Sequence, residues 1–140
     1  MDEMTLEVFD RVPEAERAAI HASLMAHNAT MLGASDPVPL YIPLKTEAGE
    51  VDGGLVGLTR RGWLHVDYLF VPERLRGRGI AGQLLQMAED EARKRGCKAA
   101  LIDTANPAAR SAYQRQGYDI IGTLDDYALG HSITWMRKML

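Results

Sequence analysis

Hydrophobic positions along the chain change their spacing in a way that marks successive elements. "TLEVF" alternates as a strand, and "PEAERAAIHASLMAHN" after it has helical spacing, with Pro13 suited to an early helix position. "MLGASDPVP" reads as a loop. From Leu40 onward, "LYIPLKT", "VDGGLVGLTR" and "WLHVDYLFV" are strand-like runs whose short separators favour antiparallel hairpins. The pattern then lengthens to helical spacing. Between Ile80 and Arg95 one face carries Ile80, Leu84, Leu85, Ala88 and Ala92, the last turn is basic, and Gly96 follows. "KAALIDT" reads as a buried strand, "PAARSAYQRQ" as a short helix stopped at Gly117, and "YDIIGTL" and "SITWMRKML" as closing strands. The predicted order is β-α-β-β-β-α-β-α-β-β, without internal repeats.

Composition narrows the class. A chain of 140 residues, 46% hydrophobic, is enough for one sizeable core, so a single domain over residues 1–140 is expected. The formal charge of −3 gives no general attraction to nucleic acid, so any anion site must be local. No apolar run is long enough to span a membrane, and the acidic start does not read as a signal peptide, which predicts a cytoplasmic protein without membrane association. Cys97 is the only cysteine, which excludes an intrachain disulfide and a thiolate zinc cluster. His21 and His27 lack the four-residue spacing of a helical metal pair, and no metal is expected.

The chemistry concentrates in "RLRGRGIAGQLL". Glycines let successive N–H groups turn into one hollow, and the positive end of the following helix adds attraction for phosphate. Gly77-Arg78-Gly79-Ile80-Ala81-Gly82 is formally a G-x-G-x-x-G, with Asp103 further on, which raises a dinucleotide site. Against it, "PERLR" separates Val71 from Gly77, and the stretch after Gly82 is too short for the second half of such a sheet. A third reading is a solvated arginine turn capping a surface helix.

Arg74-Leu75-Arg76-Gly77-Arg78-Gly79 resembles the Arg/Gln-x-x-Gly-x-Gly/Ala signature of the GNAT superfamily of acyl-CoA-dependent N-acetyltransferases. The resemblance extends upstream to "YLFV" with Pro72 and downstream through "NPAARSAYQRQGY", covering residues 63–123 closely. The ending "DDYALGHSITWMRKML" resembles that of a bacterial subgroup. The family implies an α/β (α+β) fold: a mixed, mostly antiparallel sheet with helices on both faces. It also implies acetyl transfer from acetyl-CoA to a primary amine of a small molecule or peptide, with pairing of two copies through the last strand by analogy. A protein that keeps the phosphate loop but only binds coenzyme A is the rival reading.

By that resemblance the pyrophosphate of coenzyme A would rest on the backbone from Arg76 through Gly77, Arg78, Gly79, Ile80 and Ala81 to Gly82, with Arg74, Arg76 or Arg78 near its phosphates. The pantetheine arm would pair with the backbone of Leu69, Phe70 and Val71, where a bulge and a splayed neighbouring strand leave N–H and C=O groups free. Tyr113 matches the family's proton donor beside the sulfur. Alternation puts Trp63, His65, Asp67, Leu69 and Val71 on one face, and His65 and Asp67 match positions that carry the base or its relay in some members. Glu73 or water are the other candidates for the base. Asn106 is a good helix N-cap before Pro107, and in the family it also meets the pantetheine arm. The acceptor pocket would involve "NATMLGASDPVP", the first helix and Tyr127 to His131.

Overall fold

The computed structural model describes residues 4–140, which divide after Ser35 into two compact units. The first holds one helix, α1 (Glu14–Leu32). It starts at Pro13, carries Glu14 and Glu16 where the helix dipole favours acids, and stops at Gly33, whose φ of 78° no longer continues a helix. The alternating "TLEVF" forms no strand, which departs from expectation. Alternation makes a strand only where backbone groups find a partner.

The second unit contains β1 (Val38–Lys45), β2 (Val51–Arg60), β3 (Trp63–Phe70), a 3-10 turn at Glu73–Leu75, α2 (Ile80–Lys94), β4 (Ala99–Thr104), α3 (Pro107–Arg115), β5 (Asp119–Ala128) and β6 (His131–Met139). From α1 onward the elements follow the expected order. Six strands form one sheet in the order β1-β2-β3-β4-β6-β5, antiparallel throughout except for the parallel pair β3 and β4. β6 pairs with β4 through Thr134–Met139 and with β5 through His131–Arg137. The free edges belong to β1 and β5.

Leu84, Leu85, Ala88 and Ala92 of α2 are buried against Leu40, Leu55, Leu64, Ala100 and Met136 of the sheet, and Tyr113 of α3 joins the same core. Both helices therefore lie on one face of the sheet. Cys97 is buried there too, and burial pushes its thiol above the ordinary range, so it packs as a small hydrophobe. α2 and α3 end by the same device. After α2, Gly96 N–H donates to Arg93 C=O and Cys97 N–H to Ala92 C=O; after α3, Gly117 N–H donates to Gln114 C=O and Tyr118 N–H to Tyr113 C=O. Both glycines have positive φ, the conformation this closure requires.

Candidate active site

The site begins at an irregularity in β3. Val56 of β2 pairs with Tyr68 and Gly57 with Val66, which leaves Asp67 as an extra, unpaired residue. Gly57 permits this, because a Cβ there would run into the carbonyl oxygen of His65. The bulge reverses the phase of the strand. Leu64 and Val66 point to the core before it, and Leu69 and Val71 pack on the core after it. His65 and Leu69 therefore do not share a face, contrary to simple alternation.

Beyond the bulge β3 also leaves β4. Parallel pairing runs through Trp63–Ala99, Leu64–Ala100 and His65–Leu101 and then stops. The opening between the two strands is a cavity of about 270 Å³, lined by Asp67 and Tyr68 on one side, Asp103 and Thr104 on the other, and Tyr113. A larger cavity of about 580 Å³ shares Leu69, Phe70 and Tyr113 with the first and continues past Val71 to the glycine loop.

Gly77 and Gly79 hold that loop at φ of 76° and 73°, and Gly79 is the residue from which α2 starts. Gly79, Ile80, Ala81 and Gly82 line the large cavity. The first intrahelical bond is from Gln83 N–H to Gly79 C=O, so the amides ahead of Gln83 precede the ladder and carry the positive end of the helix. Arg76 lines the cavity, its Nε donating to Val71 C=O at 3.0 Å and its guanidinium lying 5.6 Å from the centre of the Phe70 ring. Arg74 is turned away, paired with Asp52 at 2.9 Å and donating to Lys45 C=O at 3.2 Å. Arg78 is exposed and lines neither cavity. Of three arginines that look equivalent in sequence, the fold brings Arg76 to the site.

α3 forms the opposite wall. Asn106 caps it, Oδ1 accepting from Ala108 N–H at 2.9 Å, and the same residue lines the large cavity. Helical spacing then brings Ala109, Ala112, Tyr113 and Gln116 to that wall. Arg115 from the last turn adds a second cation. The sequence motif did not single out Arg115 or Gln116, although the spacing from Ala108 and Ala112 contained the signal.

Tyr113 is 4% exposed, and burial, then the carboxylate of Asp103, hold its phenol above the ordinary tyrosine range. It therefore keeps its proton at neutral pH. His65 lines neither cavity; burial, then Arg60, push its imidazole below the ordinary range, against an opposing pull from Asp67. Glu73 likewise lines neither. Among the described residues no set of three or more His, Cys, Asp or Glu side chains converges as metal ligands.

The start of α2 behind a positive-φ glycine loop thus lies beside a strand opened by a bulge. The family model for the GNAT acetyltransferases matches residues 6–118. The chain belongs to the GNAT acetyltransferase family. It is 53% identical over 125 residues to an acetyltransferase of Agrobacterium fabrum, covering 89% of this chain and 90% of that one. Blasticidin-S acetyltransferase of Streptomyces morookaense is 36% identical over 110 residues, 77% of this chain and 81% of the relative. A protein crystallised from Agrobacterium tumefaciens as an acetyltransferase superimposes with a TM-score of 0.93 at 47% identity, over 98% of this chain and 100% of that one. A Bacillus cereus acetyltransferase follows at 0.82 and 28%, over 96% of this GNAT chain and 98% of its own. No helix among the described residues is long and apolar enough to cross a membrane.

Proposed function

We propose that this GNAT protein transfers the acetyl group of acetyl-CoA directly to a primary amine of a small molecule or peptide. The observation that carries the reading is the end of β3–β4 pairing after His65 and Leu101, which opens a path from the glycine loop to Tyr113. The amides from Gly77 to Gly82 grip the pyrophosphate, with Arg76 and Arg115 supplying positive charge. Backbone groups of Leu69 to Val71 on the side that β4 has left hold the pantetheine arm as an added strand, the Val71 C=O being already taken by Arg76 Nε, and Asn106 meets the arm from the cap of α3. Acetyl-CoA supplies an activated thioester, so the protein's task is chiefly to hold both reactants in line.

Two proton movements remain. Tyr113, protonated and beside the strand opening, gives a proton to the departing thiolate sulfur. Asp67, at the bulge and lining the small cavity, takes one from the acceptor ammonium directly or through water, with His65 on the same strand passing it outward, and the free amine then attacks the thioester carbon. A third cavity of about 500 Å³, lined by Pro107, Tyr127, Leu129 and His131, shares Thr104 with the small cavity and Asn106 with the large one, and receives the acceptor.

The test is thiol release from acetyl-CoA against a panel of amines. Tyr113→Phe is expected to lower kcat by about 100-fold, within the range of a general acid, with little change in KM for acetyl-CoA. The alkaline limb of the wild-type profile should lie above pH ~10, because the phenol is raised from its ordinary value, and should vanish in the variant. Full turnover in Tyr113→Phe, or no binding of coenzyme A, overturns the assignment.

A further inference from the structure

We propose that the buried carboxylate of Glu89, through Lys138 and Tyr118, is a positioning device for Tyr113. The inference rests on the reading of Tyr113 as the proton donor. Glu89 lies in the middle of α2 with 0% exposure, on the helix face that is otherwise Leu85, Ala88 and Ala92. A charge on such a face is costly unless fully partnered. Oε1 accepts from Lys138 Nζ at 2.6 Å and Oε2 accepts from Tyr118 Oη at 3.0 Å.

Both partners act on the end of α3. Lys138 Nζ also donates to Gln116 C=O at 2.8 Å, beyond the last residue of the helix. Its aliphatic end crosses over Gly117 and lies 3.3 Å from where a Cβ would stand, so a side chain there would press on it. Tyr118 N–H donates to Tyr113 C=O at 3.0 Å, and the two rings sit 6.4 Å apart, tilted by 58°. One carboxylate thus fixes, through two side chains, the carbonyl of Gln116 and the ring packed on Tyr113. α3 has only nine residues, with Asn106 tying its start and this network its end. Apolar residues at the three positions would fill the same volume, but nothing would then anchor the Gln116 carbonyl or set the angle of the neighbouring ring. Glu89, Lys138 and Tyr118 line none of the three cavities, and act through Tyr113.

The experiment is a double-mutant cycle in the thiol-release assay. Lys138→Met and Tyr118→Phe are each expected to lower kcat about tenfold in the wild-type background, with KM for acetyl-CoA changed less than about twofold, and to cost less than about twofold once Tyr113→Phe is present. Lys138→Arg, which keeps a charged donor, should recover most of the loss. Equal penalties in both backgrounds, or no penalty, overturn the proposal. Wild-type turnover by Tyr113→Phe alone instead removes the donor reading on which it stands. A second measurement needs no acceptor. In protein labelled on its tyrosine rings, the Tyr113 NMR signal, assigned by its loss in Tyr113→Phe, should move in Lys138→Met while those of Tyr41 and Tyr68 stay. An unmoved Tyr113 signal sinks the idea.

Discussion

Burial is the leading cause of both the raised phenol of Tyr113 and the lowered imidazole of His65. For His65 the consequence is a stability effect with a definite sign. Its folded pKa lies below the unfolded value of ~6.5, so the unfolded chain takes up a proton first. Stability is intact above that pH and is lost as pH falls through the folded value. His65→Gln should therefore flatten the fall of Tm between pH 7 and 5, as followed by thermal unfolding at stepped pH. An unchanged slope would show that other groups control acid sensitivity. Tyr113, Asn106 and the glycines were legible as residues because their chemistry and order follow a motif. Asp103 was read only as a dinucleotide acid, since nothing local to "LIDT" tells that β4 delivers it beside Tyr113.

At the scale of elements, α2 was readable from its apolar stripe, its basic last turn and Gly96, all of which act within a few residues. Its start is where local and functional demands meet. Gly79 sits at φ 73° and ψ 18°, a conformation that costs an L side chain roughly 1–2 kcal/mol. A Cβ there meets open space, so Gly79→Ala is strained by its backbone and not by a clash. The expected outcome is a folded protein about 1 kcal/mol less stable, with weaker binding of coenzyme A as the amides turn away. Chemical denaturation and calorimetry measure the two effects separately. Wild-type affinity in the variant would remove the loop from the binding site. β3 was legible in part: the family resemblance implied its bulge and the splay from β4, but alternation alone did not show where the phase changes. A period of two is a correct rule for a regular strand, and the bulge at Asp67 breaks it because Gly57 lets the backbones approach.

For the whole molecule, residues of the glycine loop, β3 and α3 together line the large cavity, so a ligand held there would couple all three. Coenzyme A binding only the folded state should stabilise it by about 2.7 kcal/mol at one hundred times its Kd, seen as a raised Tm. NAD should give no comparable shift, and added salt should shrink the effect, because in the proposed site the phosphates meet Arg76 and Arg115. A larger shift with NAD would restore the dinucleotide reading of the glycine motif.

The sequence by itself determined the elements from α1 to β6, the glycine loop before α2 and the cap of α3, because spacing, turn residues and caps act over a few neighbours. The same locality misplaced a leading strand at "TLEVF", which has the right alternation and no pairing strand among the described residues. Tertiary structure alone decided which arginine faces the cavity, where β3 parts from β4, and that Glu89, Tyr118 and Lys138 meet. Each of those depends on backbone or side-chain partners brought from distant parts of the chain, and no window of neighbouring residues contains both members.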